Sequence, residues 1–179
     1  MISVPLSSTY RCKNFGRYVT ILDDVDGDLA LLAWQAKVVR VGKTMTIYAF
    51  REERRDGTRK KVFLHRVVFE RANGTVPADM EIDHIEPGDF GGLDNRRCNL
   101  RLATHTQNAA NGRLRANNSS GFKGVHFVRR TGRWQALIRV EGRRRHLGYF
   151  STSLEAALAY DAAAVDAWRA FARPNTALA

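Results

Sequence analysis

The 179-residue chain has no apolar run that approaches the roughly 20 residues a membrane-spanning helix needs. Its first residues also lack a basic stretch followed by an apolar one, so neither a membrane anchor nor a secretory leader is expected, and the expected location is the cytoplasm. Cysteine is scarce. Cys12 and Cys98 stand far apart and no CxxC pair occurs, which excludes a zinc ribbon and a disulfide framework and leaves buried thiols as the expectation. Acidic residues are outnumbered, 18 against 29 basic, giving a net charge of +11 and a pI near 10.3 that call for an anionic partner. The acidic run Asp23, Asp24, Asp26 and Asp28 has the composition of a calcium loop but lacks the glutamate at the twelfth position of an EF-hand, so an exposed acidic turn is expected.

What is present is ordinary in bulk and uneven in distribution. An apolar share of 44% and a charged share of 26% fit a globular chain, and the length allows one or two small domains. From Arg113 onward there are 12 basic and 4 acidic residues, net +8, which leaves +3 for residues 1–112. The last third of the chain should therefore do most of the holding of an anion. A basic helix on a membrane surface fits poorly, because the basic residues fall on strand-like segments and the C-terminal helix is alanine-rich.

The stretch Leu64 to Asn111 gathers the polar groups that phosphodiester hydrolysis needs. Ile82-Asp83-His84-Ile85 reads as a short, half-buried strand, with Asp83 and His84 on opposite faces unless the strand ends there. Pro87-Gly88 and Gly91-Gly92 mark a bend. Then comes Asp94-Asn95-Arg96-Arg97-Cys98-Asn99-Leu100-Arg101-Leu102, and Thr104 with Gln107 three residues on has the capping-box spacing that opens a helix carrying Asn108 in its first turn. The ordered blocks LHR, G-x-x-P, IDHI and DNR-x-x-NLR-x-x-T-x-x-QN-x-x-N resemble an HNH homing-type endonuclease with a ββα-metal site. The resemblance implies His84 as general base, Asp83 as a metal ligand, Asn99 as the residue that braces the loop and orients the histidine, and Asn108 as the third motif position on the helix. Many members have histidine at that third position, and His105 nearby leaves open which side chain faces the metal; a phosphate contact is the other role for His105.

The chemistry agrees. A carboxylate and a carboxamide are hard oxygen donors that suit one Mg2+ per site, with Mn2+ as the alternative, better than zinc. A neutral imidazole can take the proton of the attacking water near neutral pH. Bland readings stand beside these: Asn99 as a turn residue bonding its own backbone, Asn108 as a first-turn asparagine, His65 as a packed or surface histidine.

Before this stretch, Arg17 to Leu22, Trp34 to Val41, Thr44 to Phe50 and Lys61 to Leu64 read as strands, with turns at Gly42-Lys43 and Asp56-Gly57. Arg51, Arg54, Arg55, Arg59, Lys60 and Lys61 form either a solvated hairpin tip or a backbone-tracking run. Residues 112–120 lose apolar periodicity and read as a linker.

From Gly121 three short strands, Gly124 to Val128, Arg133 to Val140 and Arg143 to Phe150, precede a helix with Ser151, Thr152 or Ser153 as N-cap. Gly124-Val125, Trp134-x-Ala136-x-Ile138-Arg139, Leu147-Gly148-x-Phe150-x-Thr152, Ala156-Ala157-x-Ala159-Tyr160-Asp161 and Pro174-Asn175 resemble the plant APETALA/ethylene-response-factor DNA-binding domain. Alternation turns Trp134, Ala136 and Ile138 toward the helix and leaves His126, Val128, Arg139, Arg144 and His146 on an open face suited to a DNA groove. The DNA-contact candidates are Lys123, His126, Arg130, Arg133, Arg139, Arg143, Arg144 and His146. Leu137 stands where the family usually has an acidic residue, so its target sequence does not carry over.

The fold expected is α+β: a β-rich lobe with a ββα-metal HNH module over 1–111, a linker over 112–120, and a three-stranded antiparallel sheet packed on one helix over 121–179. The function expected is a metal-dependent endonuclease that nicks or cuts double-stranded DNA, as in phage or mobile elements, in a bacterial or phage-infected host cell. No organic cofactor and no membrane are expected, and the chain is expected to be a monomer or weak dimer. The alternative is a DNA-binding regulator with an inactive HNH module.

Overall fold

A computed structural model describes residues 1–8, 18–41, 44–87, 90–114 and 117–176. Cys12, Arg17, the Gly42-Lys43 turn, Gly88 and Arg115 lie outside the described residues. The chain divides into two units, Met1–Leu102 and Ala103–Ala179. The architecture is α+β with several antiparallel sheets, as the sequence suggests.

In the first unit, β1 (Ile2–Pro5), β2 (Ser7–Ser8) and β3 (Val19–Leu22) lead into a 3-10 helix, Asp24–Leu31. β4 (Gln35–Val41), β5 (Thr44–Arg55) and β6 (Thr58–Phe63) then form an antiparallel meander, with β2 added in parallel beside β4, while β1 pairs with β3. Asp56 and Gly57, at φ of 52° and 74°, make the two-residue turn that an Asp-Gly pair favours. At Leu64 the pattern changes from alternation to helical spacing, and α1 (Leu64–Asn73) buries Leu64, Val68 and Phe69. It stops at Gly74, whose φ of 84° closes the last turn through a bond from its N–H to the Glu70 carbonyl. The core of this unit is built on Leu6, Leu22, Leu29, Trp34, Ile47, Leu64 and Val68, each burial stabilising by roughly 1.5–3 kcal/mol.

β7 (Glu81–His84) pairs with β8 (Leu100–Ala103), and a 3-10 turn at Arg97–Asn99 precedes β8. The Gly91-Gly92 doublet serves close approach as much as bending. The loop lies against β5, where Ile47 N–H bonds the Phe90 carbonyl at 2.7 Å. A Cβ on Gly92 would come within 2.6 Å of the Tyr48 ring and 2.8 Å of the Ile47 carbonyl oxygen.

The second unit opens with α2 (His105–Asn111), entered through the expected capping box of Thr104 and Gln107. At the end of the expected linker, Asn118 Oδ1 accepts from the backbone of Ser120 and Gly121 while its Nδ2 donates to Phe122 O, so residues 118–122 form a tied loop. β9 (Val125–Val128), β10 (Arg133–Val140) and β11 (Arg143–Phe150) make an antiparallel sheet with β10 central. Of the three N-cap candidates, Thr152 caps α3 (Ser153–Trp168) and shares a capping box with Glu155. Ala156, Ala157 and Ala164 are fully buried, so small side chains let α3 lie close on the sheet around Val125, Ala136 and Ile138. Gly124 is required there. Its φ is 71°, and a Cβ would fall 2.2 Å from the Tyr160 ring.

Candidate active site and nucleic-acid interface

β7 ends at His84, and because the strand stops there both Asp83 and His84 are buried. Asp83 Oδ2 accepts from Arg101 Nε at 2.9 Å and lies 2.8 Å from its Nη2. Arg101 sits on β8, the hairpin partner of β7, which brings the two charges together across the strands. His84 Nε2 lies 3.2 Å from Asn95 Oδ1. Its ring packs edge-on against His65 at 5.4 Å between centroids, with Tyr48 at 6.4 Å.

Asn99 holds the loop rather than the imidazole. Its Oδ1 accepts from Glu86 N–H at 2.8 Å, and its Nδ2 donates to Glu86 O at 3.2 Å and to Asp94 O at 2.9 Å. Its own carbonyl accepts from Ile85 N–H. These bonds tie the Asn99 side chain to the loop backbone, while Asn95 Oδ1 is the side-chain atom placed against the His84 ring. Asn95 is 1% exposed, and its Nδ2 donates to Thr20 Oγ1 at 2.6 Å. The loop is also tied to β3, where Ile21 N–H bonds Leu93 O and Asn95 N–H bonds Ile21 O.

The acidic run folds differently from an exposed turn. Asp26 is fully buried and accepts from Arg97 Nε and Nη2, each at 2.8 Å, while Asp23 accepts from the Arg97 backbone. Asp28 takes both terminal nitrogens of Arg71. The carboxylates of Asp23 and Asp26 thus anchor the 3-10 turn that carries Asn99, while that of Asp28 binds α1. Cys98, in the same turn, is exposed and not buried, because Arg97 and Asn99 take the anchored directions on either side of it.

Burial lowers the pKa of His84, opposed by its bond to Asn95 and by the carboxylates of Asp83 and Asp94. The imidazole is therefore neutral, the form a base requires, at physiological pH. Burial also drives His65 down to about 3, aided by His84 and Arg66, and its Nδ1 is buried with no hydrogen-bond partner. Among the described residues no three His, Cys, Asp or Glu side chains are grouped to hold a metal.

His105 and Asn108 lie on α2 in the second unit, His105 exposed and Asn108 half-buried. In the sheet of that unit, Trp134 sits among the residues packed on the α3 side, where Ala136 and Ile138 are buried. His126, Arg139, Arg144 and His146 are exposed, with Arg139 directly opposite Arg144 and Leu137 opposite His146. Arg130, Arg133 and Arg143 are exposed at the hairpin ends. Lys123 is turned inward: its Nζ donates to Arg173 O at 3.1 Å and Ala110 O at 3.4 Å, and burial lowers its pKa to about 8. Its backbone is clamped by Asn175, which Asp161 holds in turn.

The sequence assigns no role to Thr20, Asn95 or Arg101 and puts Asp26 in an exposed turn. Arg101 had a usable signal, since a strand arginine facing an aspartate on the preceding strand of a hairpin is a natural pair. Thr20 and Asp26 had none, their partners being 75 and 71 residues away.

Residues 62–110 match the HNH endonuclease family. Over 82 residues, 46% of the chain, it is 34% identical to Protein 3.8 of Escherichia phage T7, covering 65% of that protein. Over 116 residues, 64% of the chain, it is 33% identical to an uncharacterized HNH endonuclease of Acanthamoeba polyphaga mimivirus, covering 58% of it. A 47-residue stretch is 53% identical to an AP2-like ethylene-responsive transcription factor of Arabidopsis thaliana, of which it covers 10%. The chain thus spans less than two thirds of the length of each of these relatives. No helix among the described residues is long and apolar enough to cross a membrane. Residues 62–110 are therefore an HNH endonuclease segment, followed in the same chain by a segment of the AP2-like kind.

Proposed function

We propose that this protein is a divalent-metal-dependent endonuclease that hydrolyses phosphodiester bonds in duplex DNA and is held on its substrate by the C-terminal sheet. The observation that carries this reading is a buried, neutral imidazole at His84 beside the buried Asp83 carboxylate, in a segment that matches the HNH endonuclease family. Functionally we divide the chain into residues 1–111, a connecting stretch 112–120, and a DNA-holding segment 121–179.

The donor chemistry fits a hard divalent ion. Asp83 would offer a carboxylate oxygen to one Mg2+ or Mn2+, which when bound neutralises charge on the scissile phosphate and the leaving oxygen, and Asn108 keeps the ligand role that the resemblance implies. The chain's own residues do the rest. His84 accepts a proton from the attacking water. Arg101 holds the Asp83 carboxylate in place, and Asn99 fixes the bend that carries Asp83 and His84. His105 is assigned a phosphate contact.

On the sheet, Arg139 and Arg144 stand opposite each other, an arrangement that costs stability between like charges unless an anion lies over them. With His126, Arg130, Arg133, Arg143 and His146 they form a surface for the phosphates and base edges of a duplex. Lys123 joins this set only if it leaves its carbonyl partners. We propose a monomer or weak dimer at work in a phage or mobile-element setting, in the cytoplasm.

Incubation of supercoiled and linear random-sequence DNA with the protein and Mg2+, followed by mapping of the ends, tests the proposal. Chelator-sensitive cleavage with defined ends supports it. Binding without cleavage under any divalent ion would make the protein a regulator with an inactive HNH segment.

A further inference from the structure

We propose that Thr20 and Asn95 are positioning residues that lock the tautomer of His84, so that Nε2 carries the ring proton and Nδ1 is the nitrogen that accepts the proton of water. This rests on the reading of His84 as general base. The direction of every hydrogen bond in the relay follows from its buried end. The Leu93 carbonyl can only accept, and it takes Ile21 N–H at 2.9 Å and the Thr20 hydroxyl at 2.8 Å. With its single proton given to Leu93, Thr20 Oγ1 has only lone pairs left for Asn95, and the atom 2.6 Å away must be the Nδ2 amide nitrogen. The weaker 3.4 Å contact from the same nitrogen to Leu93 O agrees.

That leaves Asn95 Oδ1 facing the imidazole at 3.2 Å. A carboxamide oxygen cannot donate, so Nε2 must, and the neutral ring then has its lone pair on Nδ1. Thr20 and Asn95 are 0% and 1% exposed, so water offers neither an alternative partner. The backbone bonds from Ile21 N–H to Leu93 O and from Asn95 N–H to Ile21 O hold the two side chains in register. Strand β3, otherwise remote from the HNH segment in sequence, thereby acquires a task in the chemistry.

The test is a long-range proton–nitrogen correlation spectrum of the 15N-labelled full chain at pH 7.5, with the His84 ring assigned from a His84→Gln spectrum. The expected result is a protonated Nε2 and an unprotonated Nδ1. Thr20→Val has the same shape but cannot donate to Leu93 or accept from Asn95, which frees the amide to turn over and present Nδ2 to the ring. We expect that variant to shift His84 toward the Nδ1-protonated form and to lower kcat for DNA cleavage on the order of 10²-fold with little change in KM, as a misplaced ring proton does elsewhere. Thr20→Ser should restore both. A wild-type spectrum with Nδ1 protonated overturns the proposal, and so does a Thr20→Val protein with unchanged tautomer and kcat. Should Thr20→Val not fold, the wild-type spectrum still decides. That spectrum is read without turnover, so a protein that cut no DNA would sink the nuclease reading while leaving the tautomer assignment to be judged by its own signal.

Discussion

Replacing Asn99 with alanine should unfasten the bend on which the active site is hung. The side chain makes three hydrogen bonds, all to backbone groups of residues 86 and 94, and Asn99 is 6% exposed, so water cannot fully replace them. At about 1 kcal/mol net for each bond, the loss should come to about 3 kcal/mol of stability in the first unit. Asn99→Asp gives the more searching comparison. It keeps the size and the acceptor for Glu86 N–H, but puts an oxygen where Nδ2 now donates to the carbonyls of Glu86 and Asp94. Three acceptors would then face one another, and the aspartate variant should be at least as unstable as the alanine one despite being nearly isosteric. Urea unfolding of the three proteins, with hydrogen exchange followed at the Glu86 amide, reads both effects. A Glu86 amide as protected in Asn99→Ala as in wild type, or an Asn99→Asp protein clearly more stable than Asn99→Ala, would refute the reasoning.

His65 makes stability depend on pH. Its folded pKa of about 3 lies below the ordinary 6.5, so as pH falls through 6.5 the unfolded chain takes a proton that the folded one refuses, and stability is lost from there downward. At about 1.4 kcal/mol per pH unit, this amounts to as much as about 2 kcal/mol at pH 5, and His65→Phe should flatten the wild-type slope between pH 7.5 and 5; equal slopes would disprove it. Binding of the full chain to duplex DNA should weaken steeply with salt, and Arg139→Ala or Arg144→Ala should each reduce the log–log slope by about one; salt-insensitive binding would count against the sheet as the phosphate-holding surface. Mg2+ or Mn2+ should support cleavage better than Zn2+, and activity with zinc alone would discredit Asn108 as an oxygen ligand.

How far the sequence was legible depended on the distance between partners. The capping boxes Thr104–Gln107 and Thr152–Glu155 are local, and both are present. Strand alternation placed Ala136 and Ile138 on the buried face because a period of two survives any tertiary arrangement. The Asp-Gly turn followed from backbone sterics alone. Asp26 went the other way. Its composition suggested an exposed turn, and only the arrival of Arg97 from 71 residues downstream makes burial of that carboxylate tolerable. The same separation hid Thr20 and Asn95, whose side chains acquire meaning only once β3 lies beside the loop. Charge alone groups Lys123 with the DNA contacts, whereas carbonyls of residues 110 and 173 hold its ammonium inside the second unit.

The most direct measurement is plasmid nicking in Mg2+ by wild type and His84→Ala, with DNA affinity measured on the same preparations by gel shift. The account predicts cleavage by wild type, none by His84→Ala, and nearly equal affinities. A wild-type protein that cuts with no divalent ion, or a His84→Ala protein that cuts as fast as wild type, would contradict it.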